Sequence, residues 1–435
     1  VAFGLLTVVL TYIFASQLFK SKLIGLISAL LVAISFWHVF VSRLGLRAVV
    51  MPPLQILALL FFWRALGERR TLHFALAGLF GGLTMYTYLS SRLLPLIPAG
   101  FVLYLIIRRE DLRGIWPGLA AMAGVWLLVF LPLGIYYLNN PHWFLFRAEQ
   151  ASVLMPGESG GLVRLVDETL ATLGMFSFSG DPSWRYNLAS RPVFDLVWSA
   201  AFYAGLALSL YRSVKLPKVN PYAYILLIQA VMLVPDFVTD GSPHFLRTIG
   251  TIPTTFVFPA IALAVLFGLV RPRWRATLAA VLAAWVAVTA YSTYRDYFQV
   301  WARNPQARDI YNASLAEIGD YLGTEDGMGP AMIASTSPEL DRIAYGLSAA
   351  EDSPPVRWFD GSQALVIPAG GVPAHYFRPA ITEMPANLRV LLEGSEIEQV
   401  SGPDGSLSFE VFRGAPVDNP QHPLGVLLGS RSGSL

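Results

Sequence analysis

From the first residue to about residue 294 the chain repeats one pattern, an apolar run followed by a short polar or basic break. A hydrocarbon core of about 30 Å takes about 20 apolar residues of helix to cross. Ten runs near that length lie at 1–19, 23–41, 48–63, 72–90, 93–107, 115–138, 193–211, 222–238, 251–270 and 276–294. The fifth is the shortest and contains Pro95 and Pro98, which a bundle tolerates where neighbouring helices satisfy the freed backbone groups. The longest break, 139–192, carries an amphipathic stretch: Leu162, Leu165, Val166, Leu170 and Leu173 recur at helical spacing with Arg164, Asp167 and Glu168 between them. That pattern predicts a helix lying flat on the membrane surface.

After residue 294 the pattern shortens. Ile310, Tyr311, Leu315, Ile318 and Leu322 predict one helix face, and 331–335, 356–359, 364–367 and 388–392 predict short strands. Pro403-Asp404-Gly405 predicts the turn of a hairpin between 397–400 and 407–412. The Gly/Pro/Ser-rich end, 414–435, reads as a linker or ragged terminus. The expected architecture is mainly α: a polytopic transmembrane helical bundle of about ten spans over 1–294, then a soluble α/β domain over 295–413.

Composition agrees with that pattern. Of 435 residues, 54% are hydrophobic and 14% charged, with mean hydropathy +0.53, whereas soluble domains carry about 25% charged residues. An ordinary soluble protein is excluded. The formal net charge is only +2, so the overall balance points to no nucleic-acid partner. The absence of cysteine removes disulfides, thiolate nucleophiles and Cys-based zinc sites. The chain opens on Val1, already inside an apolar run with no charged segment ahead of it, and reads as a piece lacking upstream sequence rather than a signal peptide.

Charge placement gives orientation. Breaks after odd-numbered runs hold Lys20, Lys22, Arg64, Arg69, Arg70, Arg108, Arg109, Arg113, Arg212, Lys215, Lys218, Arg271, Arg273 and Arg275, which include every lysine of the chain. Short breaks on the other side hold only Arg43, Arg47, Arg92 and Arg247. The positive-inside rule places the first set in the cytoplasm and the long loop, with everything after residue 294, outside.

The middles of the runs carry no Lys, Arg, Asp or Glu, which disfavours ion-coupled transporters and proton pumps. No Walker loop, His-Glu-x-x-His pair or Gly-x-Ser-x-Gly elbow is present. The positive signal is the group that breaks the charge rule: Arg43, Arg47, Arg92, and His244 with Arg247. A guanidinium fork at the external face suits a phosphate. The plainer role for each is snorkelling to ordinary lipid phosphates. Asp181, Trp184, Arg185, Tyr186 and Asn187 form a polar, aromatic external segment, a candidate for acceptor or sugar contacts or an interfacial aromatic belt.

The ending Phe40-Val41-Ser42-Arg43, preceded by the small-residue pattern Gly4-Leu5-Leu6-Thr7-Val8 and the basic turn at Lys20 to Lys22, resembles the protein O-mannosyltransferase and aminoarabinose lipid A transferase superfamily. The segments Gly180-Asp181-Pro182 and Arg185-Tyr186-Asn187 are similar to bacterial members of glycosyltransferase family 39, and a soluble external tail is compatible with them. The resemblance covers roughly residues 1–294. It implies a C-type glycosyltransferase fold and inverting transfer of a sugar from a polyprenyl phosphate to an external acceptor. Arg43 matches the family's arginine after this span, and His244 with Arg247 ahead of Pro253 resembles its basic phosphate-side loop. The family's catalytic aspartate lies in the first external loop, so the base is expected before Val1. Ala48, Val49 and Val50 stand where many relatives have an acidic residue. Asp181, Asp195, Asp236 and Asp240 are substitutes for the base, with loop or helix-capping roles as the plainer reading.

The expected protein is therefore a multi-pass glycosyltransferase of the bacterial inner membrane with a periplasmic C-terminal domain. Its expected partners are a polyprenyl-phosphate-linked sugar, the lipid bilayer and an acceptor that is a protein, lipid or glycan. No nucleotide or organic cofactor is implied, no metal ligands are identified, and a divalent cation is admitted. The alternative is a non-catalytic polytopic membrane subunit or lipid carrier with an external interaction domain.

Overall fold

The computed structural model describes residues 1–144, 146, 161–216, 219–324, 330–349, 354–366, 374–392 and 394–415. Lys218, Ile367 and the segment 416–435 lie outside the described residues. The chain divides into two compact units, Val1–Gln299 and Val300–Leu435.

Each of the ten apolar runs is helical over most of its length. Six helical stretches, Ala2–Phe19, Arg47–Glu68, Leu89–Ile107, Trp116–Asn139, Ile249–Leu269 and Pro272–Trp301, are long and apolar enough to cross a membrane, and the pair Lys22–Ile34 and Phe36–Arg43, bent by 59°, makes a seventh. Thr71–Thr84 and Pro221–Phe237 are shorter apolar helices, and Leu196–Lys215 ends on a basic turn with Arg212 and Lys215. The protein is a multi-pass, mainly helical membrane protein.

Local chemistry sets the helix ends. Ser21 caps Lys22–Ile34 by accepting from the Ile24 N–H at 3.3 Å, and Asp195 caps Leu196–Lys215 through the Val197 and Trp198 N–H groups at 2.9 Å. Asn220 caps Pro221–Phe237 through Tyr222 and Ala223. Pro52 and Pro53 sit in the first turn of Met51–Glu68, where no N–H is needed.

Small residues let helices approach. A Cβ on Gly205 would lie 1.8 Å from the Phe258 carbonyl oxygen, so Leu196–Lys215 and Val257–Leu269 pack backbone against backbone there.

The basic breaks meet at one end of the bundle. Arg69 donates to the carbonyls of Arg113 (2.9 Å) and Asp111 (3.0 Å), Arg108 reaches the Leu216 carbonyl at 2.9 Å, and Arg64 reaches Gln17 at 2.7 Å. These bonds join the ends of the first, third, fifth and seventh apolar runs.

The second unit contains a five-stranded mixed sheet of order β2-β1-β3-β5-β4: β1 (Ala331–Ser335), β2 (Val356–Asp360), β3 (Ala374–Pro379), β4 (Glu396–Ser401) and β5 (Leu407–Ala415). β1 pairs in parallel with β2 and β3, while β5 runs antiparallel to β3 and β4. Leu315, Ile318 and Leu322 pack on one face with Ile333, Phe377, Phe409 and Val411. Met332, Ala334, Phe359, Tyr376, Leu392 and Phe412 pack on the other.

Several sequence expectations for this unit are corrected. Residues 388–392 are helical, not a strand: Pro385 starts the short helix Ala386–Arg389, which continues as the turn Val390–Leu392 and buries Leu391 and Leu392. Ala364, Leu365 and Val366 are not in a strand. The single helix expected to carry Ile310 and Tyr311 with Leu315 is two, Pro305–Ile310 and Ala313–Thr324, because Asn312 takes φ 51° between them. β3 was not expected, since its sequence Ala-His-Tyr-Phe-Arg-Pro lacks an alternating pattern. Its Arg378 is paired with Glu410 at 2.8 Å, which lets a charge sit inside the sheet.

Gly205→Ala is expected to lower the melting temperature in detergent by the equivalent of about 1–3 kcal/mol, as overpacking against a fixed backbone does. Gly67→Ala, where nothing lies within 4 Å of the added Cβ, should be neutral or stabilising. Equal melting temperatures for both variants would contradict the close approach.

Candidate functional site

Two segments distant in sequence meet at the helix end that carries Asp236. The first is 180–191, folded on itself by Gly180 N–H to Ser190 O (3.0 Å) and Ser190 N–H to Asp181 O (2.8 Å). Asn187 braces it by donating to the Asp181 and Arg191 carbonyls at 2.9 and 2.8 Å. Residue 180 must be glycine, because a Cβ would fall 2.0 Å from the Arg191 carbonyl oxygen. The second segment is 236–250.

Two buried carboxylates hold successive amides of the second segment. Asp236, at the last turn of Pro221–Phe237, accepts the His244 N–H at 3.1 Å and the Thr172 hydroxyl at 2.9 Å through Oδ2. Asp181 accepts the Phe245 N–H at 2.9 Å through Oδ2 and the Ser183 N–H at 2.9 Å through Oδ1. Behind them, the Trp37 indole donates to the Phe245 carbonyl at 3.2 Å and the Gln55 amide to the Gly250 carbonyl at 2.8 Å. Every one of these side chains is buried.

This grip presents His244 and Arg247. Arg247 Nη1 donates to Thr239 Oγ1 (2.9 Å) and the Asp240 carbonyl (2.6 Å) and lies 3.8 Å from Asp236 Oδ1. Among the described residues, its Nε and Nη2 make no hydrogen bond, so one edge of the guanidinium is fixed and the other is open. His244 packs against Tyr186 with ring centroids 4.7 Å apart. Burial, reinforced by the Arg247 charge, pulls the imidazole down to about 4, so it is neutral near pH 7. Its Nδ1 accepts the Leu246 N–H at 3.3 Å, which assigns the proton to Nε2 as a donor. The 3.8 Å approach of Nδ1 to Asp181 is accordingly not an ion pair. Tyr88 lies within electrostatic reach of Arg247, Arg47, Tyr186 and Asp236, which brings Arg47 to the same neighbourhood.

Other sequence candidates lie in different surroundings. Arg43 is exposed and stacks over Tyr297 and Phe298, 5.4 and 5.0 Å from their ring centres. Arg92 covers the Phe144 ring at 4.3 Å and donates to Tyr137 Oη at 3.1 Å and to the Phe144 carbonyl. Arg185 donates its backbone N–H to Ser183 Oγ at 3.2 Å, and Trp184 is half-buried beside it. Asp195 is a helix cap, and Asp240 holds Arg164 at 2.6 Å. Among the described residues, no group of three or more His, Asp or Glu could hold a metal ion.

Sequence reasoning missed Tyr88, Trp37 and Arg191 as parts of this region. Arg191 pairs with Asp296 at 3.3 Å and covers the Phe36 ring at 4.5 Å. Its place before Pro192 was visible, but its partner lies about a hundred residues onward. Tyr88 and Trp37 gave no signal, since aromatic residues are common in apolar runs.

The Asp181 carboxyl is pushed up to about 6, because burial outweighs the Phe245 and Ser183 N–H groups and the Arg247 charge. A carboxyl raised in the folded state contributes stability that is complete below the unfolded value, near 3.8, and is lost as pH rises through about 6. The melting temperature of the wild type relative to Asp181→Asn should therefore rise as pH falls from 7 towards 4. A difference that stays flat over that range would contradict the burial of this carboxyl.

Residues 1–136 match the family model of the dolichyl-phosphate-mannose-protein mannosyltransferases. No curated protein sequence matches the chain. The structure is similar to that of ArnT from Cupriavidus metallidurans bound to undecaprenyl phosphate, with TM-score 0.55 and 14% identity, covering 97% of this chain and 84% of that one. It is also similar to the same protein in the apo state, with TM-score 0.51 and 14% identity over 94% and 82% of the two chains. The chain thus shares the fold of that protein over nearly its whole length, and the mannosyltransferase family model matches its first 136 residues.

Proposed function

We propose that this protein is a membrane glycosyltransferase that moves a sugar, with inversion, from a polyprenyl-phosphate donor to an external protein, lipid or glycan. The observation that carries this reading is a fold shared, over nearly the whole chain, with a protein solved with undecaprenyl phosphate bound. The Arg247 site supplies chemistry that fits. As the anomeric bond breaks, the leaving phosphate gains negative charge, and a guanidinium already fixed in place stabilises that charge without reorganising. Arg247 would offer the open Nε and Nη2 edge, and neutral His244 the Nε2–H. Arg47 and the Tyr88 hydroxyl, in the same neighbourhood, would add positive charge and a further donor, and Tyr186 and Asn187 would shape the acceptor side.

Asp181 and Asp236 serve here as positioning residues. Their oxygens hold His244 and Phe245 and are shielded from an acceptor hydroxyl.

The same reading places the basic end of the bundle in the cytoplasm of a bacterial inner membrane. Ten crossings would then put the second unit and the Arg247 site on the external side.

Binding of undecaprenyl phosphate to the purified protein in nanodiscs tests the site without an identified acceptor. Arg247→Ala should weaken binding about 10 to 150-fold, the worth of a charged hydrogen bond of about 1.5–3 kcal/mol. Arg247→Lys should recover little of it, because a lysine keeps the charge but not the fork. Arg43→Lys should likewise weaken binding almost as much as Arg43→Ala. Unchanged affinity in all four variants would remove the phosphate site.

The orientation has its own test, since the chain has no cysteine. A membrane-impermeant maleimide should label Ser401→Cys in intact spheroplasts and Glu68→Cys only after lysis. The reverse pattern would invert the topology.

A further inference from the structure

The helix Gly161–Gly174 is amphipathic the wrong way round for a helix packed on a protein in water. Leu162, Val163, Val166, Leu170 and Leu173 face outward, 45 to 74% exposed. Its polar residues turn inward at four-residue spacing, onto the segment that leads to His244 and Arg247. Arg164 donates to both oxygens of Asp240 at 2.8 and 2.6 Å. Glu168 accepts the N–H groups of Gly241 at 3.2 Å and Ser242 at 2.7 Å. Thr172 donates to Asp236 at 2.9 Å. Asp167, also exposed, sits at the edge of the apolar stripe, from which a carboxylate reaches water.

Two further apolar side chains in the segments that follow are also exposed. Phe178 is 78% exposed just beyond the helix, and Leu196, 87% exposed, opens the helix Leu196–Lys215. The segments leading to them are joined by Val193 N–H to Met175 O at 3.0 Å and Phe194 N–H to Phe176 O at 2.9 Å. In a chain with six helical stretches long and apolar enough to cross a bilayer, an exposed apolar helix face whose opposite, polar side is already satisfied by protein fits the headgroup boundary of that bilayer.

We propose that Gly161–Gly174 is an interfacial latch: lipid holds its apolar face, and Arg164, Glu168 and Thr172 transmit that anchoring to segment 236–242 and so fix His244 and Arg247. The assignment of that segment to a donor site rests on the proposed function; the latch itself does not.

Two measurements in nanodiscs of phosphatidylethanolamine and phosphatidylglycerol test it. Nitroxides at Val166→Cys and Leu170→Cys should collide with oxygen more than with a water-soluble nickel chelate, unlike a nitroxide at Glu396→Cys. Preferential collision with nickel at both helix positions would overturn the lipid seat. In hydrogen–deuterium exchange, Glu168→Gln should speed the Gly241 and Ser242 amides about tenfold or more. Leu170→Asp, which touches none of these bonds, should speed the same amides, with Val257–Leu269 unchanged in both variants. Wild-type exchange at 241 and 242 in either variant would overturn the latch. Undecaprenyl-phosphate affinity measured on the same variants bears on the proposed function, so the two readings fail separately.

Discussion

The geometry of the site depends on two buried carboxylates that take consecutive backbone N–H groups, Asp236 that of His244 and Asp181 that of Phe245. A loop buried at the end of an apolar bundle must pair its amides, since an unpaired buried N–H costs about 1–3 kcal/mol. Here the partners come from a helix end and from the folded segment 180–191, so pairing the amides also fixes three segments to each other. Trp37 and Gln55 complete the grip from inside the bundle by holding the carbonyls of Phe245 and Gly250. With both faces of the loop held, Arg247 can leave one edge of its guanidinium open without losing its place.

The carboxylates also explain how charge is tolerated so close to apolar helices. Arg247 spends Nη1 on Thr239 and on the Asp240 carbonyl, 3.8 Å from Asp236. Arg164 and Asp240 pair beside it. Charge on this side is therefore concentrated and paired. At the basic end, arginines such as Arg69 and Arg108 instead cap the carbonyl ends of neighbouring turns. The two ends thus differ physically: around Arg247 a cation is fixed with one edge unfilled, whereas at the basic end the guanidinium groups are taken up by backbone carbonyls.

The second unit solves the same problem of buried charge within a sheet. Glu410, on β5 and almost fully buried, accepts from Arg378 of β3 at 2.8 Å and from Arg389 at 3.0 Å. Two cations around one carboxylate keep it ionised, its pKa held below the ordinary value by Arg378 and Arg389 against the cost of burial.

Hydrophobic period alone located the ten apolar runs, the change of character near residue 294, the first two strands and the final hairpin, because each is a local property of solvent preference. It also found the amphipathic stretch after residue 161. The charge rule singled out Arg247, with His244 beside it, because the short breaks after even-numbered runs hold few basic residues. Local pattern misjudged 388–392, where burial of Leu391 and Leu392 by a helical turn looks the same in sequence as a short strand, and it passed over β3, whose arginine is neutralised by a residue on another strand. Only the tertiary structure decided that Asp181 and Asp236 act on adjacent amides, that Tyr88 and Trp37 belong to the same region, and that Arg43 stacks on Tyr297 and Phe298. The physical reason is that period and local charge report what a residue meets along its own helix or strand, whereas a hydrogen bond across 64 residues or a ring contact across more than 250 depends on how separate helices pack.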